Sequence, residues 1–290
     1  MKFWQAASFS EPEQLVEIAV VAEEVGFDGI LVSDHLFHPE KLESRYPYSP
    51  DGKPDFTPQT AFPDCMAVIA AMATVTSRIR FASMVYILPL RNPVEVAKTT
   101  GTVGVLSNNR LVLGAGAGWI REEFDVLGVD FKTRGRRLDE SIEVLRKLWT
   151  GNVVEHHGEF FDFPPLSMQP APSGPVPIYI GGMNKRALRR AARLGDGWLG
   201  PGQMPEDAEA TAAELERLRR EAGRGDRPFE VVAPLVTPPD PDVLKRLSER
   251  GVHGTVSYPF FYALGPTSTI EQKRGVMEQF AEGVIRKVRA

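Results

Sequence analysis

The sequence predicts an α/β fold, a (β/α)8 TIM barrel, in a single domain that spans residues 1–290. Short apolar segments rich in β-branched residues alternate with amphipathic helical segments, and the alternation repeats eight times. The length of 290 residues suits such a barrel as one domain. A doubly wound open sheet is the alternative, and the count of eight favours the barrel.

The first two strands enclose a well-marked helix. Residues 2–7 form the first predicted strand. Ser10, with Glu13 three residues later, matches a capping box, and apolar residues at helical spacing follow up to the stop signal at Gly26. The run "DGILVSDH" is continuously apolar before its polar end, which is typical of a parallel strand covered on both faces.

The same unit recurs through the rest of the chain. The third to eighth strands are predicted in "RIRFASMVYIL", "RLVLGAG", "VPIYIGG", "GDGWLG", "FEVVAPLVT" and "HGTVSYP". The helices after the second strand are predicted over residues 63–76, 93–106, 119–149, 185–194, 205–221, 241–250 and 267–288.

Two insertions interrupt the alternation, one after strand 2 and one before strand 5. Residues 38–62 are rich in Pro, Tyr, Asp and Ser, and residues 151–177 are rich in Pro and aromatic residues. Loops of this length inside a compact domain usually cover or form a binding site. We therefore expect them to contribute to the site.

The composition excludes several functional classes. A net charge of −4 provides no basic surface for nucleic acid, and no helix has the basic amphipathic pattern of a membrane anchor. Cys65 is the one cysteine, which excludes disulfides and cysteine-based metal clusters; no His-rich spacing suggests another metal site. Without a signal-peptide pattern or a membrane-length apolar run, we expect a cytoplasmic protein.

In a barrel of this kind the active site lies at the carboxyl ends of the strands. The second strand ends in Asp34 and His35, the one acid–imidazole pair at any predicted strand end. Histidine suits proton transfer near neutral pH. The alternative is a structural pair, with Asp34 capping the next segment and His35 bonded to the backbone.

The fifth strand offers a candidate phosphate site. Gly181 and Gly182 end the strand, and the helix that starts near Asn184 points its free amide groups towards them. Lys185 and Arg186 oppose the helix dipole in the first turn unless an anion is nearby. An ordinary βα turn with a solvated basic helix is the alternative. Trp198, at the end of the sixth strand, is a further candidate.

The run "NNRLVLGAGAGWIREEFDVLGVDFKTRGRRLDESIEVLRKLWTG" resembles the fourth-strand region of bacterial luciferase-like monooxygenases, most of all the branch that uses the deazaflavin coenzyme F420. "GFDGILVSDHLF", "RIRFASMVYILPLRNP" and "PVPIYIGGMNKRALRRAARLGDGWL" resemble the same family in the same order, so the resemblance covers residues 1–200. It implies a barrel that binds F420, or alternatively FMN, at its mouth, commonly as a homodimer.

The resemblance also implies roles for individual residues. Asp34 and His35 would lie near the cofactor ring, with Asp34 orienting His35. Ser83, Met84 and Val85 would form a bulge with a non-proline cis peptide that supports the ring. The phosphate would lie at Gly181 and Gly182.

Three alternating glycines end the fourth strand: Gly114, Gly116 and Gly118. Their G-x-G-x-G spacing differs from the dinucleotide pattern G-x-G-x-x-G. Given the cofactor that the resemblance implies, we expect them to clear space for its planar ring or for the substrate; a tight turn alone is the alternative.

The reaction implied by the resemblance is hydride transfer between F420 and a small organic substrate, with His35 exchanging the proton. The insertions would wall the substrate pocket, with Tyr46, Tyr48, Phe160 and Phe161 as candidate lining, or would pack over the barrel rim. One alternative is an FMN-dependent monooxygenase that needs a separate flavin reductase. A second is a flavin- or deazaflavin-binding protein without catalysis.

Overall fold

A computed structural model describes all residues, 1–290. The strands are β1 Lys2–Ala6, β2 Gly29–Val32, β3 Arg80–Ser83, β4 Tyr86–Ile87, β5 Leu111–Gly116, β6 Val154–His157, β7 Asp162–Leu166, β8 Ile178–Gly181, β9 Gly197–Leu199, β10 Glu230–Val232 and β11 Gly254–Ser257. The helices are α1 Leu15–Val25, α2 Cys65–Thr74, α3 Pro93–Leu106, α4 Arg121–Val126, α5 Arg134–Leu148, α6 Lys185–Leu194, α7 Pro205–Glu221, α8 Pro241–Glu249, α9 Phe260–Leu264, α10 Ile270–Phe280 and α11 Arg286–Arg289.

Eight parallel strands close into the predicted barrel. Their order is β3, β2, β1, β11, β10, β9, β8 and β5, and pairing between β3 and β5 closes the circle. The short strand β4 extends the β3 side and also pairs with β5. All carboxyl ends therefore meet at one mouth, where the site was expected.

Two layers of apolar side chains stabilise the barrel. One lies between the strands and the helices, and the other fills the interior. The interior layer consists of Trp4, Ala6, Leu31, Ala82, Val112, Tyr179, Leu199, Val232 and Val256. The half-buried side chains of Met84 and Val85 pack on this layer.

Several predicted boundaries were wrong for local reasons. Ser10 does not cap α1: a 3-10 turn at Pro12–Gln14 precedes the helix, and the buried Ser10 hydroxyl has no hydrogen-bond partner. Gly26 does end α1, with a φ of 103°. The helix predicted over residues 119–149 is interrupted at Gly128, whose φ of 67° is left-handed, so α4 and α5 are separate.

The second insertion contains a β-hairpin that the sequence analysis did not predict. Strands β6 and β7 pair antiparallel, and Glu140 of α5 accepts the amide hydrogens of Phe160 and Phe161 at 2.8–3.1 Å. The hairpin is thus bound to α5 by hydrogen bonds. No helix of the structure has both the length and the apolar character needed to cross a membrane.

Candidate active site at the barrel mouth

His35 follows β2 at the mouth, and its partner is a carboxylate that the sequence analysis missed. The Nδ1 atom of His35 lies 3.3 and 3.4 Å from the two carboxylate oxygens of Glu123 in α4. Glu123 is completely buried and also accepts the amide hydrogen of Leu36 at 2.8 Å. Two neighbouring groups on one loop therefore hold the same carboxylate, which fixes the imidazole.

The other imidazole nitrogen, Nε2, has no hydrogen-bond partner in the protein. The His35 side chain is 12% exposed, and aromatic rings surround it. The rings of Phe56, Phe62 and Trp119 lie 5.2, 5.2 and 5.9 Å from the imidazole, centroid to centroid. A donor at Nδ1 and a free Nε2 are the arrangement that a general acid–base histidine needs.

Asp34 does not orient His35, so that prediction was wrong. Its carboxylate accepts two hydrogen bonds of 2.7 Å from the guanidinium of Arg91 and one of 2.8 Å from the amide of Ile87. Burial alone lowers the pKa of Arg91, but the charge and hydrogen bonds of Asp34 outweigh it and raise that pKa. Asp34 is therefore the anchor that ties β2 to β4 and to the start of α3.

The segment between β3 and β4 has the expected cis peptide, which joins Met84 and Val85. Both side chains are half-buried at the top of the interior layer, where a bound ring could contact them. Ser83 differs from the prediction. It is completely buried, and its hydroxyl donates to the carbonyl of Gly114 at 2.9 Å, so its side chain cannot contact a cofactor.

Gly114 and Gly116 of β5, and Gly118 two residues after its end, make room for that neighbouring segment, not for open space at the mouth. A Cβ at Gly114 would overlap the carbonyl oxygen of Ser83, and one at Gly116 would overlap Val85. At Gly118, with a φ of 81°, it would lie 2.7 Å from Ile87. The space beside each glycine is thus filled by the chain itself, which differs from the expectation that the glycines clear space for a planar ring.

The turn after β8 keeps the features of an anion site. Gly182 has a φ of 108°, and a Cβ there would lie 2.9 Å from that of Ala187. Asn184 caps α6 by accepting the amide hydrogen of Ala187 at 2.9 Å, so its oxygen is already used. The first turn of α6 holds Lys185 and Arg186 and no acidic residue. The glycine turn and the helix start fit a phosphate group.

The side chain of Trp198 is not exposed at the mouth, which differs from the prediction that it binds a cofactor. It is completely buried between the barrel and the helices. Its indole Nε1 donates to the carbonyl of Gly182 at 2.8 Å. Trp198 therefore positions the glycine turn from behind.

The first insertion covers the mouth, as the sequence analysis expected. Tyr46 packs edge-on against Trp119 with ring centroids 5.2 Å apart, and the Tyr48 hydroxyl reaches the Gly182 turn. Tyr262 of α9 donates to Asp55 of this insertion at 2.6 Å. Burial, together with the nearby groups Tyr48, Asp55 and Tyr258, raises the pKa of Tyr46 to about 12. The Tyr46 hydroxyl is thus neutral at physiological pH.

The second insertion does not contribute to the group around His35. Phe160 lies over the guanidinium groups of Arg136 and Arg137, and Phe161 over that of Arg137. Both rings therefore pack on α5, which is the rim-packing alternative.

Glu123 could not be distinguished in the sequence. Glu122 and Glu123 lie in the first turn of α4, where acidic residues are expected because they complement the helix dipole. In the structure Glu122 instead binds the insertion through the amide and hydroxyl of Ser44. Only the fold shows that the two neighbours have different partners.

A family model described as luciferase-like monooxygenase matches residues 4–276. The chain is 39% identical over 290 residues to a Mycobacterium tuberculosis protein of uncharacterised function, an alignment that covers 99% of this chain and 100% of the relative. It is 35% identical over 192 residues to the F420-dependent glucose-6-phosphate dehydrogenase of Amycolatopsis mediterranei. That match covers 65% of this chain and 53% of the dehydrogenase, so the chain spans about half of that relative.

Solved structures share the fold over nearly the whole chain. An F420-dependent secondary alcohol dehydrogenase, solved with an F420–acetone adduct, has a TM-score of 0.78 at 19% identity and covers 100% of this chain and 99% of its own. The FMN-bound oxygenating constituent of 3,6-diketocamphane monooxygenase from Pseudomonas putida has a TM-score of 0.74 at 16% identity, with coverages of 99% and 98%. At these identities the likeness concerns the fold alone.

Proposed function

The chain belongs to the luciferase-like monooxygenase family, and from that membership we propose that it is an F420-dependent oxidoreductase. Its reaction is hydride transfer between the deazaflavin coenzyme and a small organic substrate. Relatives that are 30–35% identical over most of this chain are described as F420-dependent dehydrogenases, which supports the deazaflavin over FMN.

The pairing of His35 with buried Glu123 is the observation that carries the proposal. Hydride transfer to a carbonyl carbon requires a proton for the oxygen, and the reverse reaction releases one. Nδ1 of His35 faces Glu123 at 3.3 Å, which leaves Nε2 free to exchange that proton. Glu123 stabilises the imidazolium that forms when Nε2 accepts a proton from an alcohol.

The chain's residues fit an F420 molecule at two places. The turn at Gly182, with Lys185 and Arg186 in the first turn of α6, would hold the phosphate. Met84 and Val85 would support one face of the ring from the top of the interior layer. When bound, the deazaflavin supplies or accepts the hydride, and the protein orients the substrate and excludes water.

Separate titrations with F420 and with FMN test the cofactor assignment. Quenching of the fluorescence of Trp119 and of the cofactor reports binding. We expect saturable binding of F420 in the micromolar range or tighter and much weaker binding of FMN. Micromolar binding of FMN with no binding of F420 would show that the FMN-dependent alternative is correct.

Substitutions of the pair test the catalytic role once a substrate is in hand. His35→Ala should lower turnover by about 10²-fold or more and leave F420 affinity within about tenfold. Glu123→Gln preserves the side-chain volume but removes the charge, so it should lower turnover in the same direction. If the protein binds F420 but its turnover is unchanged by both substitutions, the His35–Glu123 pair does not catalyse the reaction, and the alternative of a deazaflavin-binding protein without this catalysis is favoured.

A further inference from the structure

The aromatic group around His35 points to a substrate class. Besides Phe56, Phe62 and Trp119, the group includes Phe9, whose ring centroid lies 6.0 Å from that of Phe62, and Phe261, 6.2 Å from Phe9. All five rings are half-buried rather than fully buried. Half-buried aromatic rings clustered beside a free catalytic nitrogen are typical of a binding pocket for an apolar ligand.

No arginine or lysine side chain stacks on a ring of this group. Arginine or lysine side chains lie over ten aromatic rings of the chain, and none of those rings belongs to the group. Arg91 has both terminal nitrogens bound to Asp34, which follows β2. Lys185 and Arg186 lie at the glycine turn assigned to the cofactor phosphate.

Two negative charges lie near the aromatic group. Glu123 lies completely buried behind His35, and Asp55 is close enough to Tyr46 to raise the pKa of its hydroxyl. Even with His35 protonated, the His35–Glu123 pair has no net positive charge. An anionic substrate would therefore lose its hydration without gaining a partner charge.

We propose that the substrate of this site is an uncharged, largely apolar organic molecule and not a phosphorylated sugar. The proposal rests on the proposed function, because it places the substrate between the F420 ring and the aromatic group. His35 Nε2 is then the polar atom placed to meet the substrate oxygen.

Binding of two planar probes of similar size tests this class. Acetophenone is neutral, and benzoate carries a carboxylate. Their dissociation constants are measured by saturation-transfer NMR on the chain with and without F420, and glucose 6-phosphate serves as a third probe. We expect acetophenone to bind at least about tenfold more tightly than either anion, because the negative charges of Glu123 and Asp55 repel only the anions.

A charge change locates the preference. Phe56→Lys puts a cation beside His35 and should shift the preference towards benzoate by about tenfold or more. Val153→Lys, at a residue that is 71% exposed in the second insertion, adds the same charge elsewhere and should leave the preference unchanged. If Phe56→Lys does not fold, the probe comparison on the parent protein remains decisive.

The outcomes separate this inference from the proposed function. F420 binding with equal or tighter binding of benzoate or glucose 6-phosphate overturns the substrate class and leaves the cofactor assignment intact. Tighter binding of acetophenone without any F420 binding supports the apolar pocket and overturns the cofactor assignment. No saturable binding of acetophenone overturns the inference.

Discussion

Gly116→Ala should destabilise the fold through contact with Val85, and Val85→Ala should relieve that effect. A Cβ at Gly116 overlaps Cγ2 of Val85 and lies 3.3 Å from its Cβ. Alanine at position 85 lacks Cγ2, so only the 3.3 Å contact remains. An extra methyl group in a filled core costs about 1–3 kcal/mol of the free energy of unfolding.

Thermal unfolding of the four proteins of the double-mutant cycle measures this effect. Gly116→Ala should lower Tm by about 2–9 °C. The free energy of unfolding of the double variant should exceed, by about 1 kcal/mol or more, the value that the sum of the two single effects predicts. Gly114→Ala is the control. Its Cβ overlaps the backbone oxygen of Ser83, which no truncation of Val85 removes.

Additive effects of the two substitutions would refute this reasoning. So would a Gly116→Ala protein with unchanged Tm and lost F420 affinity, since the glycine would then clear space for the cofactor directly.

Three other substitutions test separate parts of the account. Asp34→Asn should cost about 3 kcal/mol of the free energy of unfolding, measured by urea denaturation, because it leaves the charge of Arg91 buried without a partner; a loss below about 1 kcal/mol would contradict the anchor role. Gly182→Ala forces an alanine to a φ of 108° beside Ala187 and should weaken F420 binding about tenfold or more. The control is Gly265→Ala, at a φ of 87° with nothing within 4 Å, which should leave F420 binding unchanged. Equal affinities of the two variants in F420 titrations would argue against the anion site. Folding raises the pKa of Tyr46 from 10.0 to about 12, so the contribution of the neutral Tyr46 hydroxyl to stability is complete below pH 10 and is lost as the pH rises to about 12. Tyr46→Phe should therefore reduce the fall of the free energy of unfolding between these pH values. Denaturation at several pH values measures that fall, and an unchanged slope in the variant would contradict this.

The barrel could be predicted from the sequence because its signals are local. Strand β5 and helices α3, α6 and α7 begin or end within one residue of the predicted bounds, since Asn92, Asn184 and prolines at first helical positions mark those starts. The hairpin β6–β7 was missed because its turn is held by Glu140, a helix residue 20 positions earlier, which no local signal in the insertion indicates.

The site could be predicted only in part. The positions of His35 and of the Gly182 turn at the mouth could be predicted because each follows a strand end. The predicted partner of His35 was wrong because adjacency in sequence suggested Asp34, whereas the carboxylate of Asp34 is bound by Arg91 and the amide of Ile87. Glu123 lies 88 residues away, and nothing in its own neighbourhood distinguishes it from Glu122.

A crystal structure of the protein with F420 bound tests the central claim most directly. The account predicts the phosphate at the Gly182 turn with Lys185 and Arg186, and the ring against Met84 and Val85. It also predicts His35 Nε2 facing the space above the ring while Nδ1 stays on Glu123. A phosphate bound elsewhere, or an imidazole that turns from Glu123 to Asp34, would contradict the account.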